Sequence, residues 1–593
     1  MVLPRRPVSG CLALFAVLLC LAGSTPAVWA QRPSAPRLLP TKTLAVISVP
    51  SAPELAERFM NTSVGRMGQD PQLKPLIGQL YGSVLEATSQ LKDEIGLSLP
   101  EILAIPQGEL TVALVLPEEG DPAVVALLDA GNQLSNARKL LERATVELER
   151  QASSKKEETV AGTKLVIYEG LGPRGRKGVY FEKDNTIVLG SDPNVLKQIL
   201  SAWNGGEGKT LVDNPNFAAI MQRCRGAKNE RPHAFWYVDP IGIVHAVSQQ
   251  NASARVALAL LPVLGLDGLL GVGGSMTFDT PQFDSVMHAH LLLDNPRAGI
   301  LKMIAFESGD VTPERWVPID TASYMTLHWN VEKTYSSLAT VYDGFRGEGA
   351  LAKALQRRIL GPTGIDLEAE VIKSLEGRVS LVVWIERPIG IQSQRSMLGF
   401  KLKDPAALEA ALEKLAKLER APLAKESFAG KQYYRVRVPQ LEERPPEERP
   451  PLPCFGVLDD YLLVGNSQAL YQKAVTTWAD GTESLADELD YKLIASKIRR
   501  VCGSREAAMI SFDRPEEIMR FLYDLVNAER TRQNLQQQAE NNPFFRSVNT
   551  ALNENPLPPF EVLRQYLAPG GALVIDDETG LHYTAFALRR KSE

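Results

Sequence analysis

Two histidines one residue apart are the strongest candidates for chemistry in this sequence. His288 and His290 lie in SVMHAHLLL, an apolar stretch that predicts a β-strand. Alternate residues of a strand point to one face, about 6.5 Å apart along the chain, so two imidazoles there could bind a transition metal. A third ligand would have to come from Asp279 or Asp284, on the preceding strand or its turn. The alternative, which the sequence favours, is two histidines on a solvated strand face.

Other tempting patterns lack the context that their chemistry needs. Gly208-Lys209-Thr210 resembles the end of a phosphate-binding loop, but Trp203 replaces the first glycine and a helix, not a strand, precedes the segment. Cys224 and Cys502 have basic neighbours that could lower a thiol pKa, yet both lie near predicted helix ends, where basic residues stabilise the helix dipole. There is no Gly-x-Ser-x-Gly elbow. The sequence therefore favours a non-enzymatic protein without a cofactor, and it assigns no catalytic residue.

Composition and charge exclude some classes of partner. Hydrophobic residues make up 44% and charged residues 23% of the 593 residues, as in ordinary globular proteins. A chain of this length exceeds what one hydrophobic core usually organises, so we expect two domains or more. The formal net charge of −5 gives no strong field, which argues against nucleic acid as a partner.

The N-terminus predicts export. Arg5 and Arg6 precede an apolar run over 11–22, and Val28 and Ala30 fit a signal-peptidase site, so residues 1–30 are predicted to be a cleaved signal peptide. The apolar run is about 12 residues, shorter than the ~20 that cross a bilayer, so no stable transmembrane segment is expected after cleavage. We expect the protein in the periplasm or outside the cell. The remaining cysteines are Cys224, Cys454 and Cys502, for which one disulfide or three isolated thiols both stay open.

The chain divides into two similar halves. Six landmarks recur in the same order, the first five pairs 268 to 278 residues apart and the last 297 apart. The pairs are Leu39-Pro40 with Val317-Pro318, Gly108 with Gly377, Ala161-Gly162 with Ala429-Gly430, Trp203 with Trp478, Asp239 with Asp513, and Gly273-Gly274 with Gly570-Gly571. The larger last spacing places an extra segment near 532–542. We predict a first repeat domain over 31–310 and a second over 311–593.

Within each half, short apolar strands run directly into helices. Helix-capping residues mark these junctions, among them Ser51, Asp192, Asp239, Asp404 and Asp513, often followed by proline at the first helical position. Neighbouring strands are separated by short polar turns, so they must pair antiparallel. The sequence predicts an α+β fold with two homologous halves, each a largely antiparallel sheet with helices packed on it.

These features together resemble large families of exported bacterial proteins of unknown function that are built from duplicated α+β modules. The resemblance is carried by the signal, the Leu-Pro-x-x-Thr opening at 39–43, the Asp-Pro helix starts, and the TLVDNPNF and SLADELDY loops. It implies a bacterial envelope location and no activity. We expect a binding protein whose partner is an envelope protein, a polymer or a small ligand. A metal-dependent hydrolase and a structural envelope protein are the alternatives.

Overall fold

The structure, a computed structural model, describes residues 32–87, 96–172, 175–226, 231–249, 251–390, 392–418, 421–437, 452–481 and 484–590. The predicted signal peptide over 1–30 and most of the proline-rich segment 445–453 lie outside these ranges. Helices account for 44% of the structure and antiparallel strands for 29%, which confirms an α+β fold. No helix in these ranges is long and apolar enough to cross a membrane.

Within the described ranges, twenty strands, all paired antiparallel, form one sheet. They are β1 Thr43–Val49, β2 Leu110–Val115, β3 Ala123–Asp129, β4 Ser154–Val160, β5 Thr163–Leu171, β6 Arg176–Lys183, β7 Thr186–Gly190, β8 Ala234–Val238, β9 Leu269–Phe278, β10 Phe283–Leu293, β11 Ser323–His328, β12 Leu375–Ile385, β13 Gln394–Leu402, β14 Leu423–Phe428, β15 Lys431–Val436, β16 Cys454–Leu458, β17 Tyr461–Gly465, β18 Met509–Asp513, β19 Gly570–Asp577 and β20 Gly580–Leu588.

The α-helices of the described residues lie between these strands. They are α1 Ala52–Met60, α2 Ser63–Gly68, α3 Lys74–Ala87, α4 Leu99–Leu103, α5 Leu134–Gln151, α6 Pro193–Trp203, α7 Pro215–Arg223, α8 Pro240–Ser248, α9 Ala252–Leu264, α10 Val331–Arg346, α11 Ala350–Leu355, α12 Gly361–Thr363, α13 Pro405–Ala416, α14 Gln468–Asp480, α15 Leu489–Cys502, α16 Pro515–Asn527, α17 Glu529–Asn541, α18 Pro543–Glu554 and α19 Phe560–Arg564.

The strands before residue 300 and those after residue 320 pair in matching order. The first set runs β4-β5-β6-β7-β3-β2-β1-β8-β9-β10, and the second runs β14-β15-β16-β17-β13-β12-β11-β18-β19-β20. Strands β10 and β20 then pair with each other and join the two sets into a continuous sheet. We call this β10–β20 junction the seam.

One face of the sheet is covered by helices and holds the two main cores. In the first set, Val46, Ala113 and Val125 pack under α6 and α7. In the second, Tyr324 and Leu573 pack under α14 and α15, and Phe283 and Val286 of β10 pack against this second core. The seam is therefore a packed junction as well as a hydrogen-bonded one. We call this face the covered face and its opposite the open face.

Local capping chemistry explains most helix starts. Asp192, Asp239 and Asp404 each accept backbone N–H groups in the first turn of α6, α8 and α13, as expected from the sequence. Asp513 does not cap α16, so this prediction was wrong. It is the last residue of β18 and accepts a hydrogen bond from Ser323 Oγ at 2.7 Å, because the neighbouring strand β11 brings that hydroxyl within reach.

Candidate functional site

The seam brings three histidines together. His288 and His290 lie on one face of β10, and His582 of β20 pairs directly with His290. The ring of His582 lies 5.4 Å from that of His288 and 5.7 Å from that of His290, centre to centre. His290 has no exposed surface and His582 is 6% exposed. These rings belong to the covered face and not to a solvated one.

The ring nitrogens of this histidine cluster are largely unpartnered. His288 Nδ1 lies 3.1 Å from Thr584 Oγ1, but both ring nitrogens of His290 and Nδ1 of His582 are buried without a hydrogen-bond partner. Burial, helped by the Arg223 guanidinium, lowers the pKa of His290 to about 4. Burial and the neighbouring imidazoles lower the pKa of His582 to about 3. The cluster is therefore uncharged at neutral pH.

Neither aspartate considered as a third metal ligand reaches the histidines. Asp279 lies in the β9–β10 turn, where its carboxylate contacts Arg58, Asn61 and Arg589 at 2.7 to 3.4 Å. Asp284 accepts the Ser63 N–H at 2.9 Å. The Asp279 backbone N–H donates to the carbonyl oxygen of Asp284. Both aspartates therefore lie at a level of the strand that is four residues, or about 13 Å, from His288. In the ranges that the structure describes, no group of three or more His, Cys, Asp or Glu residues is arranged to hold a metal ion.

The other sequence candidates have structural partners. In the Gly208-Lys209-Thr210 loop, Thr210 donates to Asp213 and forms a backbone bridge with Pro40. Cys224, Cys454 and Cys502 are buried free thiols. Burial raises the pKa of the Cys224 and Cys454 thiols to about 12, which suppresses the reactive thiolate at neutral pH.

The open face carries a feature that the sequence analysis missed. Fourteen neighbouring strands place directly opposed residues in one row, and none of these residues is charged. The row, which we call the apolar ladder, is Leu189, Ala126, Val112, Ile47, Trp236, Gly274, Ala289, Tyr583, Val574, Met509, Leu327, Val379, Phe400 and Leu462. At the usual strand spacing it is about 60 Å long.

The apolar ladder is partly exposed along its length. Ile47 is 39%, Val112 38% and Leu189 39% exposed, and every other member except Gly274 is partly exposed. Next to the ladder, Val124 is 52% exposed. An antiparallel sheet with a solvated face normally carries polar side chains there. An apolar surface of this length indicates a binding surface.

Helices border the apolar ladder on the same face. Helix α5 packs on Leu128 and Ile187, and α13 packs on Leu462. At one strand end, Phe59 of α1 meets Phe278 edge to face at 5.8 Å. Helices α3, α16, α17 and α18 contribute to a further apolar cluster that includes no strand residue. The open face is therefore bordered, and its middle strands share no core with that helical cluster.

The lack of alternation between apolar and polar residues could have indicated this surface. Apart from Thr111 and Asp129, both residue parities of β2 and β3, LTVALV and AVVALLD, are apolar, which is unusual for a sheet that covers only one face. Comparison with protein-family models, with characterised proteins and with solved structures finds no match to this chain, so the site must be interpreted from its geometry alone.

Proposed function

We propose that this chain is an exported, non-enzymatic binding protein that holds the acyl chains of a lipid-like amphiphile against the apolar ladder. The observation that carries the proposal is the ladder itself, a partly exposed apolar row that crosses both sets of strands. Export follows from the sequence of residues 1–30 and remains a prediction.

We also propose that the two sets of strands, within 31–310 and 311–593, arose by duplication. Their matching pairing order supports this. So do equivalent contacts: the Trp203 indole donates to Asp184 at 2.9 Å, and the Trp478 indole donates to Asp459 at 3.4 Å, each in the turn of a corresponding hairpin. The Pro40–Thr210 bridge likewise has its counterpart in Pro318–Ser484.

The chemistry of the open face favours acyl chains over the other expected partners. A hydroxylated polymer would find few hydrogen-bond partners on this face. On the strands of the ladder its polar side chains are Ser285, Ser323, Gln394, Ser396, Ser511, Asp513 and Asp576, the last paired with Arg297. Bordering helices and partial exposure suit a thin flexible chain better than a flat protein surface. Each buried methylene contributes about 0.8 kcal/mol, so a chain of about twelve gains roughly 10 kcal/mol before the cost of association.

Three helices add apolar surface of the same kind. Exposed apolar residues recur three or four positions apart along one side of α9, α10 and α16, which are Val256, Leu260 and Val263, then Leu338, Tyr342 and Phe345, then Ile518 and Leu522. The short 3-10 turn Gly299–Met303 contacts both α9 and α10 and brings these two helices together. Their apolar sides provide further surface for a long or branched lipid.

A lipid-binding assay tests the proposal. Purified protein is titrated with a fluorescent long-chain fatty acid, which is then displaced by unlabelled phospholipid. We expect saturable binding, and a loss of about tenfold or more in Ile47→Glu and Val124→Glu, because each buries a carboxylate beneath the chain. Leu489→Glu is the matched control, since Leu489 is 78% exposed on α15, away from the ladder. No saturable binding by the unmodified protein, or equal binding by all variants, would contradict the proposal.

The alternatives gain no support from the described residues. A metal-dependent hydrolase would need a set of ligands that His288, His290 and Asp279 do not form together. A structural envelope protein is distinguished by abundance and self-association, which light scattering measures.

A further inference from the structure

A small polar cavity lies on the covered side of the second set of strands. It has a volume of about 240 Å³ and is lined by Trp316, Trp478 and Tyr461 together with Asp310, Asp459 and Asp460. It does not involve the apolar ladder. Its aromatic and charged walls indicate recognition of a small polar molecule.

The charges on its walls are unequally satisfied. Arg378 is paired with Glu314 at 2.9 Å, both nearly buried, and Lys401 is paired with Glu376 at 3.0 Å. Asp459 and Asp460, in the β16–β17 turn, have no ion-pair partner among the described residues. Asp459 accepts the Trp478 indole N–H at 3.4 Å, but neither carboxylate is neutralised by a cation of the described ranges, so the cavity offers both to a basic ligand.

A donor on the wall is also unsatisfied. Trp316 is 2% exposed, lines the cavity and has its indole Nε1–H buried without an acceptor. Such a group is costly unless something accepts its hydrogen bond. Arg315 lies on the same wall, with its guanidinium against Gly481. A ligand that carries an acceptor as well as a cation would satisfy both sides of the cavity.

The equivalent place in the first set of strands holds a cation from the chain itself. The Arg32 guanidinium lies 5.5 Å from the centre of the Trp203 ring and bonds Glu109 at 3.0 Å. The Asp129 carboxylate lies 3.7 Å from Nε of Arg32. This guanidinium has an aromatic face on one side and carboxylates on the other, as cation–π and ion-pair sites do.

The second set arranges its charges differently. Arg378, the counterpart of Glu109 by the 269-residue spacing of Gly108 and Gly377, pairs with Glu314 at 2.9 Å and with Asp310 at 3.4 Å. By the 278-residue spacing of Pro40 and Pro318, the counterpart of Arg32 is Asp310, whose side chain is 71% exposed. Lys431 lies 4.5 Å from the centre of the Trp478 ring but is not among the residues that line the cavity. An acid, Asp310, thus lines the cavity at the position that Arg32 has in the first set.

We propose that the cavity beside Trp478 binds a small basic ligand with a guanidinium or primary ammonium group and a carbonyl or carboxylate, as in arginine. The cation pairs with Asp459 and Asp460 beside the Trp478 ring, and the acceptor takes the Trp316 N–H with Arg315 nearby. The comparison with Arg32 rests on the proposed correspondence of the two halves. The cavity and its unsatisfied groups are independent of that correspondence and of lipid binding.

Binding is measured with arginine on protein labelled with 5-fluorotryptophan, by ¹⁹F NMR. We expect saturable shifts of the Trp478 and Trp316 resonances, assigned by single Trp→Phe variants. Citrulline, which replaces the guanidinium with a neutral urea group, should bind at least about tenfold more weakly. Agmatine, which lacks the carboxylate, should bind with an affinity between those of arginine and citrulline. No saturation by arginine in the millimolar range, or an equal response to citrulline, would overturn the proposal.

Matched variants locate the site. Asp460→Asn and Asp459→Asn should each weaken arginine binding about tenfold, whereas Asp184→Asn, in the corresponding turn of the first set, should leave it unchanged. Arg32→Ala should create a second site beside Trp203, so guanidinium compounds should raise the melting temperature of this variant. If Arg32→Ala does not fold, the aspartate variants still decide, since equal binding by Asp460→Asn and the unmodified protein refutes the assignment.

Discussion

Acidification should weaken the seam through its buried histidines. His290 and His582 have pKa values lowered to about 4 and about 3, mainly because burial disfavours their charged forms. The Arg223 guanidinium adds to this effect at both rings, and Arg505 at His582, while Asp577 pairs with both arginines. In the unfolded chain each histidine returns to a pKa of about 6.5.

The sign and size of the effect follow from these values. The unfolded state binds more protons than the folded state between about pH 6.5 and the lowered pKa values, so stability is full above that range and falls as the pH decreases. At pH 5 the loss is about 2 kcal/mol for each histidine, or at most about 4 kcal/mol for the two together.

Urea denaturation at neutral pH and at pH 5 measures this loss, with hydrogen exchange in β10 and β20 as a local probe. We compare the unmodified protein with a His290→Leu/His582→Leu variant. Because the variant lacks both titrating groups, most of the loss of about 4 kcal/mol between neutral pH and pH 5 should disappear. His245→Leu removes an exposed histidine on α8 and is the control. If the double variant and the unmodified protein lose equal stability, the histidines do not govern the pH response of the seam.

Three further outcomes are expected. The three buried thiols should not react with a thiol reagent in the folded protein at neutral pH, and all should react in urea; rapid reaction when folded would contradict their burial. Gly580→Ala should destabilise the protein by about 2 kcal/mol or more, because the added methyl would lie 2.0 Å from the Leu291 carbonyl oxygen across the seam. In the control, Gly162→Ala, the methyl meets nothing within 4 Å, and the loss should be about 1 kcal/mol. The urea midpoint measures both losses, and equal losses would refute the close contact. Dialysis against a chelator should leave the melting temperature unchanged, and a decrease would support the metal hypothesis for the histidines.

Local signals in the sequence predicted much of the fold. Apolar runs followed by Asp-Pro gave the starts of α6, α8 and α13 correctly, because a capping carboxylate and a proline act within one turn. Asp513 misled the same reasoning, since its partner, Ser323, is 190 residues away in the chain.

Long-range pairing accounts for what the sequence could not provide. The seam joins His290 to His582 across almost 300 residues, and nothing in either strand alone specifies that partner. A solvated pair of histidines was the favoured expectation, yet the seam places both on the covered face and buries His290 completely. The apolar ladder is likewise a property of fourteen strands in register, and each strand alone looks like an ordinary buried one.

The seam also changes how the two halves can be tested. Nine backbone pairs hold β10 to β20, and Phe283 and Val286 of β10 pack into the second core. Helix α3 packs on α18 through Leu76 and Leu552, beyond the sheet. A lone half would expose β10 or β20 as a long apolar edge strand, which invites aggregation. Loss of binding by a truncated half would therefore say little about where a ligand sits, and single substitutions in the whole chain are the sharper test of the apolar ladder and of the cavity beside Trp478.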